Sequence, residues 1–235
     1  MLAILSDIHA NLEALETVLA DIQRRRIETV YCLGDVVGYG PNPSECVELA
    51  REFELCLAGN WEQFIGSPLR KNEADSDRLR QQYAWSLTQL SKDQTEFLST
   101  RKTCFKQNGI TFAHGSPLDY VNDYLFPEHV YDREHMDRVF AAFDGLFMCG
   151  HTHLPGIHTL GEHIEPITID YCFEPNGESA IINVGSVGQP RDGDPRACYV
   201  VYDGSSFEFV RLEYDWDTTR RKIDDLDWPP TKNGI

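Results

Sequence analysis

The sequence predicts an α/β fold whose sheet is mostly parallel over its first strands. Three short apolar runs that fit buried strands, at 2–6, 29–33 and 55–58, alternate with two segments of helical apolar spacing. Strand–helix–strand units join parallel strands by right-handed crossovers, and such sheets bind ligands at the carboxyl ends of their strands. Composition agrees, because 235 residues with 41% hydrophobic and 25% charged side chains fit a globular chain with its own core.

Each of the two predicted helices between these strands has its own start signal. Asn11 is placed to cap the first helix, which ends in the basic run 24–26, where the helix dipole favours cations. Asn42 and Pro43 mark the start of the second helix as a cap and a proline at the first helical position. The chain therefore opens as β-α-β-α-β.

Antiparallel pairing is predicted to begin in the middle of the chain. The polar stretch 72–100 is long enough for two helices, with Ser91 as the cap between them. After it, Asn108 and Gly109 separate two strand-like runs, and this pair favours a hairpin on a type I′ turn.

The second half of the chain predicts further strands and a short helix. We expect a helix at 134–143, a strand at 146–149, and strand-like pieces up to about residue 212. No linker or repeat divides the chain. We therefore predict one domain at 1–212, followed by an acidic and partly packed tail at 213–235.

Charge and cysteine usage argue against several classes of protein. A net charge of −17 opposes binding to long nucleic acid or anionic lipid, so a polyanionic substrate would need a local positive charge. No apolar run approaches a membrane span, and the start carries no export signal, so we expect a cytoplasmic protein. The seven cysteines are scattered without a C-x-x-C pair, which predicts neither a disulfide framework nor a zinc knuckle.

Polar side chains that can bind a cation follow the ends of several predicted strands. They are Asp7, His9, Asp35, Asn60, His114, His151 and His153. In D-x-H and in H-x-H, both side chains lie on the same side of an extended segment, so each pair can hold one ion. If these strand ends lie side by side, the seven side chains converge.

The donor set predicts two divalent ions rather than one. Two carboxylates, four imidazoles and one amide are too many for a single tetrahedral zinc, and no thiolate is among them. Asp35 is the natural bridge between two ions. Such a pair polarises a phosphoryl group and lowers the pKa of a bridging water, which points to a metal-bridging hydroxide that hydrolyses a phosphate ester or anhydride.

The order of five motifs resembles the calcineurin-like metallophosphoesterase family along most of the chain. The motifs are D-x-H at 7–9, G-D-x-x-G at 34–38, G-N at 59–60, H-G at 114–115 and G-H-x-H at 150–153. The strings G-D-V-V-G-Y-G-P-N-P at 34–43 and N-V-G-S-V-G-Q-P-R-D-G-D-P-R at 183–196 are similar to small bacterial members described as phosphodiesterase or diadenosine-tetraphosphatase-like. The resemblance implies two facing mixed β-sheets flanked by helices in a four-layer sandwich.

The same resemblance implies how the ligands divide and what the protein acts on. One ion would sit on Asp7, His9, Asp35 and His153, and the other on Asp35, Asn60, His114 and His151. Manganese, iron, zinc and nickel all accept this set, with manganese the first choice for assays. The expected partner is a small phosphate ester or a nucleotide; a monoester or a diester, and a monomer or a homo-oligomer, both stay open.

The third motif departs from the family pattern. It usually reads G-N-H followed by an acid, and its histidine protonates the leaving group or contacts the phosphate, whereas this chain has Trp61 and then Glu62. Indole cannot donate a proton in that way, and the loss of a general acid commonly slows a reaction by about 10²–10⁴-fold. We assign no catalytic residue and hypothesise a preference for good leaving groups, such as aryl phosphates or a nucleotide leaving from a polyphosphate.

Two residues carry open interpretations. Trp61 either stacks a nucleobase or aryl group over the site or fills the space of the missing imidazole. Arg191, in a loop rich in glycine and proline, either binds a substrate phosphate with its guanidinium or forms a surface salt bridge, and we retain it as a candidate substrate-binding residue.

The remaining chemistry-bearing residues are expected to be structural. Cys149 fits a core position, and we expect the other histidines outside the site: His129, His135, His158 and His163. The alternative to an enzyme is a metal-binding pseudoenzyme or ligand sensor that lost turnover through Trp61 and Glu62. A protein phosphatase is the weaker third hypothesis, because nothing indicates an extended docking surface.

Overall fold

Two mixed six-stranded sheets face each other in the computed structural model, which describes residues 1–66, 77–164 and 171–226. The strands are β1 Leu2–Leu5, β2 Thr29–Cys32, β3 Leu55–Cys56, β4 Cys104–Gln107, β5 Ile110–Ala113, β6 Leu146–Cys149, β7 Gly156–Thr159, β8 Glu162–Ile164, β9 Tyr171–Phe173, β10 Ala180–Asn183, β11 Ala197–Tyr202 and β12 Phe207–Leu212. The helices are α1 Leu12–Arg24, α2 Pro43–Ala50, α3 Asn60–Gly66, α4 Asp77–Gln89, α5 Lys92–Ser99, α6 Arg133–Ala141 and α7 Trp216–Asp224, with a 3-10 helix at Pro127–Tyr131. The two facing sheets with helices outside confirm the predicted fold class.

The first sheet combines the predicted parallel opening with antiparallel strands from the end of the chain. Its order is β3-β2-β1-β11-β12-β9. β1 pairs in parallel with β2, and β2 with β3, as predicted. On its other side β1 pairs antiparallel with β11, which makes the sheet mixed.

The second sheet begins with the predicted hairpin. Its order is β4-β5-β6-β10-β7-β8. Asn108 and Gly109 have φ angles of 50° and 76°, the left-handed pair that a type I′ turn requires. β5 then pairs in parallel with β6, so these two strands present their carboxyl ends at one edge of the sheet.

Side-chain alternation along β1 shows how the layers are held. Ile4 points into the core between the two sheets, where it packs with Met148 and other residues of the facing sheet. Its neighbours Ala3 and Leu5 point to the outer face and pack with helical residues. On the outer face of the second sheet, α6 contributes Met136 and others to a third core. Both sheets are thus covered on both faces, which explains their near-continuous apolar strands.

Two predicted caps are confirmed and one is corrected. The Asn11 side chain accepts from the backbone N–H of Ala14 (3.2 Å), and Ser91 forms a capping box with Gln94. Asn42 occupies the N-cap position of α2, but its side chain makes no capping hydrogen bond. It donates instead to Glu45 and accepts from the Lys222 ammonium (2.8 Å), which competes with the cap for its amide.

Helix α7 lies within the segment that the sequence presents as a tail. Thr219 is buried and donates to the Asn11 side chain (3.0 Å), while Lys222 contacts Glu13 on α1. Residues 72–76 of the predicted helical stretch and the end of the tail, with Trp228, lie outside the described residues. Within the described ranges, none of the helices has both the length and the apolar character that crossing a membrane requires.

Candidate metal centre

The structure brings all seven predicted ligand residues to one place between the carboxyl ends of strands from both sheets. Asp7 and His9 follow β1, Asp35 follows β2, and Asn60 begins α3 just after β3. The other three come from the second sheet: His114 follows β5, and His151 and His153 follow β6. Their side chains form two clusters of three, with Asn60 beside the second.

The first cluster contains Asp7, His9 and His153, all of which are buried. Asp7 Oδ1 lies 3.1 Å from His153 Nε2 and 3.6 Å from His9 Nε2. The two imidazole nitrogens are 3.0 Å apart. Three donor atoms from two segments, one after each sheet's central parallel strand, therefore face a common point.

The second cluster contains Asp35, His114 and His151, which are also buried. His114 Nε2 lies 3.3 Å from Asp35 Oδ2, 2.9 Å from His151 Nδ1 and 3.3 Å from Asn60 Oδ1. Asp35 Oδ2 is also 3.7 Å from His9 Nε2 in the first cluster. The Asp35 carboxylate thus lies between the two clusters.

Backbone carbonyls orient the imidazoles so that lone pairs face one another. His9 Nδ1 lies 3.1 Å from the Val37 carbonyl, and His153 Nδ1 lies 2.5 Å from the Gln189 carbonyl. A carbonyl accepts only from N–H, so the proton of each neutral ring is on Nδ1 and both Nε2 atoms carry lone pairs. Two lone pairs 3.0 Å apart require a positive charge between them.

The pKa shifts of two residues and an unpaired carboxylate oxygen also indicate that the clusters attract positive charge. Burial would raise the pKa of Asp7, but His153 and His114 hold it well below its usual range, so this carboxyl stays ionised. Asp7 Oδ1 is nevertheless buried without a hydrogen-bond partner in the described part of the chain. Burial opposes protonation of His114, yet Asp35 and Asp7 raise its pKa to about 9. The clusters therefore attract positive charge, and their donor chemistry fits divalent cations.

His151 behaves as a neutral ligand. Burial and the neighbouring His114 lower its pKa to about 3. Its Nε2 faces the Asn122 carbonyl at 3.4 Å, which leaves the Nδ1 lone pair directed at the cluster. A neutral imidazole with a free lone pair is the form that binds a metal.

The backbone that holds these ligands is strained. Five of the seven have φ between 47° and 67°, in the left-handed region that non-glycine residues seldom adopt: Asp7, His9, Asp35, His151 and His153. Such conformations cost about 1–3 kcal/mol each and persist where surrounding contacts impose them, commonly at functional sites. One such contact is the backbone N–H of His151, which donates to Asp7 Oδ2 (2.9 Å).

Glu62 is a supporting residue that the sequence interpretation missed. Its buried carboxylate accepts the backbone N–H groups of Asp35 (2.7 Å), Val36 (3.0 Å) and Gly59 (2.8 Å). These bonds tie the loops after β2 and β3 together. In the family pattern an acid follows the third motif, and Glu62 stands at that position. This match was the sequence signal that could have identified Glu62 as a residue that supports the site.

Trp61 fills space and is closed to ligands. Its side chain is 1% exposed and belongs to the core against α1 and α2. The indole packs edge-on against Tyr39 (5.0 Å between ring centroids), and its backbone N–H donates to Asp35 Oδ1 (3.0 Å). A residue so deeply buried offers no face to a nucleobase, which decides between the two interpretations of Trp61.

Arg191 lies at the rim of the site, on the side of the first cluster. Its backbone N–H donates to the His153 carbonyl (3.3 Å), and its guanidinium carbon lies 5.9 Å from the Tyr39 ring centroid. Its side chain donates to Gln189 (2.8 Å) and is not engaged by an acid among the described residues. The surface salt bridge is therefore not formed, and the side chain is exposed.

Two tyrosines that the sequence did not single out line the same pocket. Tyr39 packs edge-on against His9 (4.7 Å), and Tyr124 stacks on His151 with 3.6 Å between ring centroids. Burial raises the pKa of Tyr124 to about 12, so its hydroxyl stays protonated. Tyr39 falls in the G-D-V-V-G-Y-G string, but no spacing rule indicated Tyr124.

Comparison with known proteins agrees with the geometry. Residues 1–206 match the family model described as the calcineurin-like phosphoesterase superfamily domain. The chain belongs to this family. An uncharacterized protein of Methanocaldococcus jannaschii is 37% identical to this calcineurin-like phosphoesterase over 237 residues, covering 95% of this chain and 91% of the relative.

Solved structures extend the likeness to the whole fold. A metallophosphoesterase from Sphaerobacter thermophilus is 32% identical with a TM-score of 0.85, covering 97% of this chain and 94% of that one. A hypothetical protein from Pyrococcus horikoshii shares the fold at a TM-score of 0.74 and 21% identity, covering 97% and 95% of the two chains. Family membership supports a hydrolase, and the two clusters are candidate sites for the pair of metals that the family uses.

Proposed function

We propose that the protein is a two-metal phosphoesterase that hydrolyses a phosphodiester or a nucleotide-type phosphate. The observation that carries the proposal is the pair of buried clusters, in which imidazole lone pairs and carboxylate oxygens face one another across Asp35. Asp7, His9, His153 and Asp35 would hold one divalent ion; Asp35, Asn60, His114 and His151 would hold the other. The two ions would polarise the phosphoryl group and acidify a bound water, and manganese is the metal we would supply.

The chain's own residues set the limits of this chemistry. Asp35 lies against both clusters, so it fixes the spacing of whatever the two clusters bind. Arg191 reaches the rim without an acidic partner among the described residues, and a guanidinium there can bind a phosphate oxygen with two parallel hydrogen bonds. The positive charge that an acidic chain needs for an anionic substrate is thus local.

Trp61 determines which leaving groups are accepted. No imidazole stands at the third motif to protonate the departing oxygen, and the buried indole cannot do so. An aryl oxide or a nucleotide phosphate leaves as an anion without that proton, whereas an alkoxide does not. The substrate class is therefore an ester or anhydride with a good leaving group.

Hydrolysis of bis(p-nitrophenyl) phosphate with added Mn²⁺ tests the proposal, with Asp35→Asn as the matched variant. We expect turnover in the parent protein and a loss of at least about 10²-fold in Asp35→Asn, because both ions lose a shared charged ligand. If Mn²⁺ binds but hydrolysis is absent, or is the same in Asp35→Asn as in the parent, the proposal is contradicted and the metal-binding pseudoenzyme is supported.

Trp61→His tests the statement about leaving groups. Supplying the family's imidazole should accelerate the hydrolysis of esters with alkyl leaving groups and leave p-nitrophenyl esters nearly unchanged. Equal gains on both kinds of ester would show that the missing proton donor does not set the preference.

A further inference from the structure

The loop between β10 and β11 supports the first cluster. The Ser186 hydroxyl (2.8 Å) and the backbone N–H of Gly188 (3.0 Å) both donate to the Asp7 carbonyl. Farther along the same loop, the Gln189 carbonyl accepts from His153 Nδ1 (2.5 Å). The loop therefore holds the backbone of one candidate ligand and the ring of another.

One buried amide fixes this loop. Asn11, which is 1% exposed, donates from Nδ2 to the Gly188 carbonyl (2.9 Å) and to the Tyr214 hydroxyl (3.1 Å). Its Oδ1 accepts from the backbone N–H of Ala14 (3.2 Å) and from the Thr219 hydroxyl (3.0 Å). An asparagine amide offers two N–H donors and two acceptor lone pairs, so all four positions are occupied and the amide is held in one orientation.

Two of these four hydrogen bonds come from the C-terminal segment at 213–224. Tyr214 precedes α7 and Thr219 lies within it, whereas the match to the family model ends at residue 206. Thr219 is buried, and its hydroxyl also reaches Glu13 on α1 (2.8 Å). Thr219 and His9 line the same narrow cleft. A segment outside the matched family domain therefore extends to the metal centre.

The second cluster is supported from elsewhere. Glu62 accepts the backbone N–H of Asp35, and the Asn122 carbonyl faces the His151 ring. Among the described residues, none of these four forms a hydrogen bond with the segment at 213–224. The two clusters thus differ in their dependence on the C-terminal segment.

We propose that Tyr214 and Thr219 are positioning residues for the first cluster, and that they strengthen the binding of one of the two metal ions. They act through Asn11 and the loop between β10 and β11, so they need not touch the ion. This inference rests on the proposed function, since it assigns further residues to the same metal centre. Outer residues that orient metal ligands commonly change metal affinity by about 10–100-fold.

Calorimetric titration of the double variant Tyr214→Phe/Thr219→Val with Mn²⁺ tests the proposal. Phenylalanine removes the first hydroxyl and valine replaces the second by a methyl group, so both side chains keep their shape. We expect one of the two ions to bind about tenfold more weakly and the other to bind as in the parent. Tyr202→Phe/Thr218→Val is the matched control, because Tyr202 bonds to Gly204 and the Thr218 hydroxyl bonds within the segment of α7 and its cap. Both affinities should be unchanged in this control.

Single-ligand variants identify the ion that is affected. His114→Ala removes a ligand of the second cluster, so the ion that still binds tightly is held by the first, and the double substitution should again weaken it about tenfold. In His153→Ala the tightly bound ion is held by the second cluster, and the double substitution should leave its affinity unchanged. Thr219→Ser, which keeps the hydroxyl, should bind both ions as the parent does.

The outcomes separate the positioning role from the proposed function. Unchanged affinity for both ions in the double variant, equal weakening of both, or a loss in the His153→Ala background would overturn the positioning role while the metal centre stands. Hydrolysis of bis(p-nitrophenyl) phosphate tests the proposed function separately, because the positioning role is measured by binding alone. A parent protein that binds no Mn²⁺ would overturn both.

Discussion

Gly38→Ala probes the packing that allows a tryptophan to occupy the third motif. Gly38 has φ of 93°, and a Cβ there would lie 2.3 Å from Trp61 Cδ2 and 2.4 Å from Cε2. The left-handed backbone costs an L-residue about 1–2 kcal/mol, and forcing a methyl group against a buried ring costs about 1–3 kcal/mol more. We therefore expect the free energy of unfolding to fall by about 2–5 kcal/mol, a large part of the ~5–15 kcal/mol typical of a domain.

Gly109→Ala is the matched control, because it isolates the backbone cost. Gly109 has φ of 76° in the hairpin turn, and among the described residues no atom beyond its two chain neighbours lies within 4 Å of the position that a Cβ would take there. Urea unfolding followed by far-ultraviolet circular dichroism should give a loss of about 1–2 kcal/mol for this variant. The excess loss of Gly38→Ala should disappear when both substitutions are compared in a Trp61→Leu background. Equal losses for the two glycine variants, or an excess that persists without the indole, would refute this account of Trp61.

Two further predictions concern residues outside the ligand set. Burial, with the neighbouring His163, lowers the pKa of His158 to about 3, so the folded protein does not take up a proton that the unfolded chain accepts near pH 6.5. Stability contributed by this group is therefore lost as the pH falls, by about 2 kcal/mol between pH 7 and pH 5, and urea unfolding of His158→Leu should show that much less acid sensitivity. Asn183 donates to the Gly150 carbonyl (2.7 Å) and to Thr152 (2.9 Å), and so supports the H-x-H loop. Asn183→Ala should weaken Mn²⁺ binding about 10–100-fold in calorimetric titration, because it releases residues that position ligands.

Each of these two predictions has an outcome that contradicts it. The same acid sensitivity in His158→Leu as in the parent would mean that the imidazole is protonated in the folded state. Unchanged Mn²⁺ affinity in Asn183→Ala would mean that the loop keeps its shape without the buried amide. Asn176→Ala serves as the control for the second, since this asparagine is exposed and bonds to Glu178.

Helix caps and tight turns could be predicted from the sequence, because each depends on the chemistry of one or two particular residues. Asn11 caps a helix and Asn108-Gly109 turns a hairpin because a side-chain oxygen or a left-handed backbone is needed at those positions. The Asn42 cap failed because Lys222, far along the chain, takes the amide oxygen. A helix at Trp216–Asp224 was not expected either, since its buried contacts are with α1 rather than within itself.

The convergence of the seven polar residues followed from the sequence because each comes just after a strand. Parallel pairing brings strand ends together within each sheet, as for β1 with β2 and for β5 with β6, but the meeting of the two sheets was implied only by the resemblance to the metallophosphoesterase family. Tyr124 could not be found in this way, because it lies in a loop whose path is set by backbone hydrogen bonds to Tyr120 and Asp123. The burial of Trp61 likewise depends on Gly38 in another segment, which spacing alone does not reveal.

Anomalous diffraction from crystals grown with Mn²⁺ tests the central claim most directly. Two peaks should stand in the pocket, one against Asp7, His9 and His153, the other against His114, His151 and Asn60, with Asp35 in contact with both. A single peak, or none at saturating Mn²⁺, would contradict the binuclear centre and the phosphoesterase activity proposed from it.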